Sequence, residues 1–235
     1  MSPPPQRASG SGTIAEMPER VLVTEKLIRA ACLEAMNQKY NDIDTKIRSS
    51  LALAMNSSGT GTRFCVASSA DRSIYITNAH VVEEDKSISL YRQWPEFIKM
   101  LGTVDAKGDV ERTDPAIVSV AVGNVPAVLM SAGSPAIDVT VSLAGYPRVQ
   151  KFAADSFGEL CPAIHRGTIT AIARHGAVVM HDALSRPGNS GGPLYDPVDG
   201  KVYGVEAAGW ESDEESIAIN TVAVKTFLKE HDIAI

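Results

Sequence analysis

Between residues 51 and 220 the sequence is a succession of short apolar runs separated by turn-forming residues. The runs are rich in Val, Ile and Thr, and Gly, Pro, Asp and Ser lie between them. Branched side chains favour extended backbone, whereas glycine and proline favour turns. Eleven strands are predicted: Leu51–Met55, Thr62–Ser68, Ser73–Thr77, Ser87–Tyr91, Ala116–Val120, Ala127–Met130, Val139–Ala144, Gly167–Ala173, Ala177–Met180, Lys201–Ala207 and Ser216–Asn220. Many short strands with few helices between them are typical of an all-β sandwich or a pair of barrels.

Helical periodicity is confined to the two ends of the chain. Apolar residues recur at helical spacing over 24–40, which predicts a helix that either packs on the main body or serves as an arm for a homo-oligomer. Val222–Glu230 predicts a closing helix. Residues 1–13 are rich in Pro, Ser and Gly, which predicts a disordered tail. The polar segment Asn41–Ser50 is expected to connect the predicted helix to the first strand. The predicted N-terminal helical extension is therefore 14–50.

The net charge and the cysteine content indicate which classes of partner and which cellular compartment to expect. The net charge is −6 and no basic run occurs, which argues against a nucleic-acid partner. No apolar stretch reaches the roughly 18 residues of a membrane span, and no secretory signal peptide begins the sequence. Cys32, Cys65 and Cys161 are an odd number of cysteines without a C-x-x-C pair, so neither a disulfide framework nor a zinc ribbon is indicated. We expect a reducing, cytoplasmic environment.

A glycine-rich segment around Ser190 carries the first chemical signal. It reads Pro187-Gly-Asn-Ser-Gly-Gly-Pro-Leu194. Glycine permits positive φ, so successive N–H groups can converge beside the hydroxyl, as an acyl-transfer oxyanion requires. A simple hairpin turn is the alternative explanation. The nucleophile elbow of an α/β-hydrolase does not fit, because Pro193 interrupts the required helix and only His231 follows the serine.

A histidine and an aspartate precede this serine. His80 lies just past an alternating strand among small residues, and Asp114 opens an apolar strand. Taken singly, His80 could be a core histidine and Asp114 a turn residue before proline. The chain order His, Asp, Ser is that of the chymotrypsin-type barrels and of neither subtilisin nor the elbow hydrolases. Other candidate acids are favoured less: Asp105 and Asp109 lie in a polar stretch with no predicted strand after it, and Asp138 comes late, close to Gly145-Tyr-Pro.

With these residues in this order, the sequence resembles the trypsin-like serine peptidases, and among them the high-temperature-requirement (HtrA/Deg) branch. The resemblance extends from about residue 51 to 230. The matching motifs are Ser58-Gly-Thr-Gly61, Thr77-Asn-Ala-His80-Val-Val, Asp114-Pro-Ala-Ile-Val, Gly145-Tyr-Pro, Gly167-Thr-Ile-Thr, Asp182 and Gly188-Asn-Ser-Gly-Gly-Pro-Leu. Thr62-Arg63 and Pro115 depart from the family pattern, because both places usually hold an apolar residue. Because the family pattern continues to about residue 230, we expect no PDZ domain after it.

The resemblance implies a fold and a set of roles. It implies an all-β, chymotrypsin-like fold of two antiparallel six-stranded barrels within 51–235, with a boundary near 121–135 and a helix at each end. Ser190 would be the nucleophile, His80 the base and Asp114 its orienting acid, with the oxyanion hole formed by the N–H groups of Gly188 and Ser190. Substrates would be polypeptides, and no cofactor is implied. His165, His175 and His181 lack the short spacing that a zinc site needs, so no metal is expected.

The resemblance also places a substrate pocket on two segments. Its predicted residues are Leu184, Ser185, Ala207 and Gly209. Leu184 stands where relatives that cleave after basic residues carry an aspartate, so uncharged, mainly apolar side chains in unfolded or extended polypeptides are expected. Glu206 neighbours the pocket and is predicted to point outward, because an unpaired buried carboxylate is costly. The alternative is an inward orientation, with which a basic substrate side chain becomes possible. A catalytically silent or ligand-activated binding protein of the same fold is the alternative function.

Overall fold

The computed structural model describes residues 42–55, 59–92, 98–110, 113–147, 162–209 and 215–234. The predicted tail at 1–13 and the predicted helix at 24–40 lie outside these residues. Within the described part, twelve strands form two closed antiparallel barrels of six strands each. This confirms the predicted all-β, chymotrypsin-like architecture. Closure pairs the strand edges that an open sheet would leave exposed.

The first barrel has the strand order β1-β2-β3-β6-β5-β4. Its strands are β1 Leu51–Met55, β2 Thr60–Ser68, β3 Ser73–Asn78, β4 Ser87–Arg92, β5 Ile98–Lys107 and β6 Pro115–Val120. The second barrel has the order β10-β11-β12-β9-β8-β7. Its strands are β7 Thr140–Gly145, β8 Ala163–Ala173, β9 Val178–His181, β10 Pro193–Tyr195, β11 Val202–Gly209 and β12 Ser216–Asn220. The predicted boundary at 121–135 falls within the connection from β6 to β7.

Three helices accompany the strands in the described part: α1 Asp42–Ser50, α2 Ala79–Val82 and α3 Thr221–Glu230. A 3-10 turn, Arg174–Gly176, joins β8 to β9. Asn220 caps α3 by accepting a hydrogen bond from the backbone N–H of Val222. None of the helices in the described ranges has the length and apolarity needed to span a membrane.

Side-chain alternation divides the core into three layers. One face of each strand points into its own barrel. The other face of several strands points toward a layer shared by the two barrels and α3, whereas on others, such as β5, it is exposed. The first interior contains Ala52, Cys65, Tyr75, Leu90 and Val118. The second interior contains Val141, Leu143, Ile169, Val179 and Ala218. The shared layer contains Phe64, Ile76, Val205, Ile219 and Phe227.

Two strands escaped prediction and one predicted strand does not form. On β5, exposed charged residues such as Lys99 and Asp105 interrupt the apolar signal, because only one face of this strand is buried. The short strand β10 directly follows the glycines of the serine segment. Ala127–Met130 is irregular and contributes only an isolated bridge from Met130 to Val202.

Asn41–Ser50 was predicted to be a polar connection, but α1 occupies Asp42–Ser50. Tertiary contacts stabilise this short helix. Ile47 is buried in the shared layer, the hydroxyl of Tyr195 donates a hydrogen bond to Oδ1 of Asp44 at 2.7 Å, and the Arg48 guanidinium donates to the carbonyl of Pro162. These partners are distant in sequence, so no local pattern announces the helix.

Candidate active site

His80 and Asp114 meet because β3 and β6 are paired. Asn78 is opposite Pro115 in this pair, so the residues just past β3 and just before β6 are neighbours. Nδ1 of His80 lies 2.5 Å from Oδ2 of Asp114, and the backbone N–H of His80 donates to Oδ1 at 3.0 Å. The N–H of Ala79 donates to the Asp114 carbonyl at 2.8 Å. Both carboxylate oxygens are therefore engaged by the same histidine, which fixes the orientation of its ring.

The backbone at Asp114 is strained. Its φ is +47°, a conformation that non-glycine residues rarely adopt and that Pro115 restricts further. The N–H of Asp114 donates to the carbonyl of Asp109 at 2.8 Å, which helps to hold this conformation. Strain of this kind costs about 1–3 kcal/mol and concentrates at functional sites. The side chain of His80 is 39% exposed and that of Asp114 only 10%, so the ring is open to an incoming molecule while the carboxylate is shielded.

The other candidate acids lie elsewhere. Asp105 is part of β5 and forms an exposed ion pair with Arg72 at 3.4 Å. Asp109 contributes its backbone carbonyl to the N–H of Asp114, and Asp138 donates its own N–H to the carbonyl of Ile169. Among the described residues, the carboxylate hydrogen-bonded to His80 is that of Asp114.

The segment from Asp182 to Ser190 forms most of the connection from β9 to β10 and carries the candidate nucleophile. We call it the nucleophile loop. Its tight turn places proline at 187 and glycine at 188, with the Asn189 N–H bonded to the Arg186 carbonyl at 2.9 Å. Gly188 has a φ of +101°, which a turn with glycine in its third position requires.

Gly191 closes the turn beyond Ser190. Its φ is +84°, and a Cβ at this position would lie 2.1 Å from the carbonyl oxygen of Thr62. No side chain fits there, because that distance is far below van der Waals contact. The glycines at 188 and 191 are thus required by the backbone itself.

Thr62, on β2 of the first barrel, holds the nucleophile loop of the second. Its N–H donates to the carbonyl of Ser190 at 2.8 Å, and its hydroxyl donates to the carbonyl of Gly188 at 2.7 Å. The same hydroxyl accepts a hydrogen bond from the N–H of Tyr146 at 2.9 Å. Sequence reasoning noted Thr62 only as a departure from a family pattern and missed this contact.

The N–H groups of Gly188 and Ser190 have no hydrogen-bond acceptor within the described part of the chain. The Ser190 hydroxyl is 3.4 Å from the carbonyl oxygen of Ala207 and forms no hydrogen bond with His80 among the described residues. Serine and histidine are nevertheless close neighbours. A Cβ on Gly61 would lie 2.5 Å from Val81, the residue after His80, and 3.3 Å from the Ser190 carbonyl oxygen.

Residues 59–205 match the family model described as the trypsin-like peptidase domain. The chain belongs to the trypsin-like peptidase family. It is accordingly a serine-type endopeptidase, with polypeptides as its substrate class. No curated protein matches the sequence.

Solved structures of proteases share the fold of this trypsin-like peptidase. The inactive form of Rv3671c from M. tuberculosis, a serine-to-alanine variant, matches with a TM-score of 0.63 and 22% identity over 81% of this chain and 90% of its own. Its active form matches with a TM-score of 0.63 and 21% identity, over 83% and 86%. The serine endoprotease of Yersinia pestis gives a TM-score of 0.66 and 19% identity, over 82% and 67%.

The residues predicted to line the substrate pocket of the peptidase lie on the nucleophile loop and on β11 next to it. Leu184 and Ser185, on the loop, are half-buried. Ala207, on β11, is half-buried and places its carbonyl next to the Ser190 hydroxyl, and Gly209 ends that strand. In the described ranges, no group of three or more His, Cys, Asp or Glu side chains is arranged to hold a metal ion.

The outward orientation predicted for Glu206 is wrong. Its side chain is fully buried, and its Oε2 lies 2.7 Å from Nε2 of His181, which is also fully buried. The prediction assumed that a buried carboxylate would have no partner, and His181 supplies one. His181 had been considered only as a metal ligand, and nothing in the local sequence links it to a residue two strands away in the barrel.

Two further motifs of the sequence explain each other. The carboxylate of Asp182 accepts hydrogen bonds from the N–H of Thr168 at 2.6 Å and from its hydroxyl at 3.1 Å. A Cβ on Gly167 would lie 2.3 Å from the backbone nitrogen of Ala183. The glycine therefore lets β8 approach the start of the nucleophile loop, and Asp182 ties the loop to that strand.

Proposed function

We propose that this peptidase cleaves polypeptides with Ser190 as nucleophile, His80 as general base and acid, and Asp114 as the residue that orients His80. The observation that carries the proposal is the pair of hydrogen bonds between Asp114 and His80. A buried, strained aspartate holds one ring nitrogen of a partly exposed histidine. A histidine held in this way presents its other nitrogen, Nε2, to the nucleophile.

The reaction would proceed in two stages. The Ser190 hydroxyl oxygen attacks the peptide carbonyl while Nε2 of His80 takes its proton, and the protonated ring then passes that proton to the leaving amine. Water, activated by the same nitrogen, attacks the acyl-enzyme and releases the second product. Asp114 keeps the proton on Nδ1 and stabilises the positive charge that develops on the ring.

The N–H groups of Gly188 and Ser190 would form the oxyanion hole. Their lack of an internal acceptor in the described part of the chain supports this role, because such donors are available to a developing negative charge. Thr62 holds the carbonyl groups of both residues and so restricts rotation of the loop. Donors fixed before the reaction cost no reorganisation when charge develops.

We infer that the side chain before the scissile bond is uncharged and mainly apolar. Leu184 supplies an apolar wall, and Ala207 is small enough to leave the space beside Ser190 open. Extended or unfolded segments would bind along the end of β11, where an added strand gains backbone hydrogen bonds.

The decisive experiment is covalent labelling of Ser190 with a fluorophosphonate probe, combined with digestion of a mixed peptide library. The wild-type protein should label and should cleave after residues such as Val, Ala, Leu or Met. Ser190→Ala should abolish labelling and lower kcat by roughly 10⁶-fold. Ser87→Ala, which removes an exposed hydroxyl on β4, is the matched control and should behave as wild type.

Three outcomes would contradict parts of this proposal. A folded wild-type protein that does not label would favour a catalytically silent or ligand-activated binding protein. Unchanged hydrolysis by Ser190→Ala would remove the assigned nucleophile. Dominant cleavage after Arg or Lys would overturn the inference about the pocket while leaving the assigned catalytic residues in place.

A further inference from the structure

A buried polar pair, His181 and Glu206, lies inside the second barrel. The His181 side chain is 0% exposed and that of Glu206 is 1% exposed, with Nε2 and Oε2 separated by 2.7 Å. Val179 precedes His181 by two positions on β9, and Ala218 is the cross-strand partner of Glu206; both belong to the interior cluster. Alternation along the strands therefore places the pair in the apolar interior rather than in the shared layer.

The two ends of the nucleophile loop both meet Glu206. His181 is the last residue of β9, so the loop begins immediately after it. At the other end, the N–H of Gly191 donates to the Glu206 carbonyl at 2.7 Å, and the N–H of Glu206 donates to the Gly192 carbonyl at 2.8 Å. The backbone of Glu206 thus holds the segment just after Ser190, and its side chain holds the residue before the loop.

The pair is an expensive way to fill this space. Nδ1 of His181 and Oε1 of Glu206 have no hydrogen-bond partner in the described part of the chain. Apolar residues of similar volume would pack there without leaving polar atoms unsatisfied. A hydrogen bond, unlike an apolar contact, is directional, so it fixes the distance and the angle between the end of β9 and β11.

We propose that the His181–Glu206 hydrogen bond positions the nucleophile loop, and so sets the placement of the Ser190 hydroxyl and of the Gly188 N–H for the reaction. His181 and Glu206 are positioning residues, because they act through the loop rather than on the substrate. This inference rests on the proposed function, in which Ser190 is the nucleophile. It assigns a part in catalysis to two buried residues inside the second barrel that do not contact the substrate.

The test compares graded changes of the pair. Glu206→Gln keeps an acceptor for His181 but removes the carboxylate, and should lower kcat by about 3- to 10-fold, since hydrogen bonds to ionised groups are roughly twice as strong as neutral ones. Glu206→Leu removes the bond and should lower both kcat and the rate of fluorophosphonate labelling by roughly 10- to 100-fold, because small misplacements of reacting groups are costly. KM should change by less than about threefold, because the variants leave the predicted pocket residues in place.

Two further variants separate positioning from general stability. The exchange His181→Glu with Glu206→His rebuilds a hydrogen bond between the same two positions and should recover at least about tenfold of the activity lost in Glu206→Leu. Val179→Ala removes apolar contacts on the same interior face and should lower Tm while leaving kcat within about twofold of wild type. All assays are run at a temperature at which circular dichroism shows each variant to be folded.

The outcomes distinguish the inference from the function on which it rests. Labelling of wild type together with equal labelling of Glu206→Gln and Glu206→Leu overturns the positioning role alone. A fall in kcat for Val179→Ala as large as that for Glu206→Leu also overturns it, because general loosening of the barrel would then suffice. Should Glu206→Leu fail to fold, Glu206→Gln decides: a wild-type kcat contradicts the inference. Failure of the wild-type protein to label overturns the proposed function and this inference with it.

Discussion

Inside the first barrel lies Arg63, whereas inside the second lie His181 and Glu206. All three side chains are buried, but only the second barrel provides a partner of opposite chemical character. Nε, Nη1 and Nη2 of Arg63 have no hydrogen-bond partner among the described residues. The second barrel's pair adjoins the nucleophile loop, while Arg63 points into the interior of the first barrel, near Tyr75. Among the described residues, the buried polar side chains of the second barrel pair with each other, whereas the Arg63 guanidinium of the first barrel has no partner.

The position of Arg63 follows from its neighbour Thr62. Thr62 must face the nucleophile loop, because it holds the carbonyl groups of Gly188 and Ser190. Side chains alternate along β2, so the next residue faces the barrel interior, as Cys65 does two positions later. Burial lowers the pKa of the Arg63 guanidinium to about 9, although nearby Tyr75 acts in the opposite direction. The comparison shows that the orientation of Thr62 toward the loop forces the next side chain, Arg63, into the barrel interior even though it is charged.

The largest expected effect on stability comes from removing one buried polar group from each barrel. The free energy of unfolding should rise in one case and fall in the other. Arg63→Met should raise the free energy of unfolding by about 1–4 kcal/mol, because a flexible apolar chain replaces an unpaired buried cation. Glu206→Leu should lower it by about 1–3 kcal/mol, because His181 loses its partner. Urea denaturation followed by circular dichroism measures both values.

Arg72→Met is the control for the first change. Arg72 is exposed and forms a surface ion pair with Asp105 at 3.4 Å, so its loss should alter stability by less than about 1 kcal/mol. Destabilisation by Arg63→Met would show that the guanidinium has a partner in the folded protein, and the contrast between the barrels would then disappear.

A second prediction sharpens the same contrast through pH. In the folded protein burial lowers the pKa of Arg63 to about 9, well below the ordinary value that it keeps in the unfolded chain. Between these values the unfolded state binds more protons, so the stability of the wild type should rise with pH relative to Arg63→Met. Their difference should be largest below pH 9 and should shrink above it, by at most about 1.4 kcal/mol per pH unit. Denaturation of both proteins at pH 7.5 and pH 10 measures it; a constant difference would mean that Arg63 stays charged.

The smallest expected effect concerns two buried tyrosines. The hydroxyl of Tyr195 donates to Asp44 at 2.7 Å, whereas the hydroxyl of Tyr75 has no partner among the described residues. Burial raises the pKa of both phenols. Tyr195→Phe should destabilise by about 1 kcal/mol, and Tyr75→Phe should be neutral or slightly stabilising. Equal or reversed effects in urea denaturation would indicate a hydrogen bond to Tyr75 in solution.

Local patterns predicted most of the architecture. Apolar runs and the turn residues between them correctly predicted the bounds of β1 and β12, because strand burial produces a local pattern of apolar residues. The same reasoning missed β5, whose exposed face carries charges, and α1, which long-range contacts stabilise. Secondary structure was predictable where a single segment determines it.

The candidate site divides along the same line. His80, Asp114 and Ser190 were recognisable because each stands in a short distinctive motif, and their catalytic roles stay predictions. The contacts of Thr62 with Gly188 and of His181 with Glu206 join residues 126 and 25 positions apart. A single sequence contains no signal for such pairs, because the partners meet only once the strands have been ordered.

The hydrogen bond between Thr62 and Ser190 has a consequence for the chain during its synthesis and folding. During synthesis from the N-terminus, the first barrel, with Thr62 and His80, leaves the ribosome long before the segment around Ser190. In the folded protein the segment around Ser190 is held by hydrogen bonds to Thr62 on β2, from the early half of the chain, and to Glu206 on β11, from the late half. The residues proposed as base and acid, His80 and Asp114, are therefore synthesised before the residue proposed as nucleophile. The proposed catalytic residues therefore come together only in a chain whose two barrels have both been made.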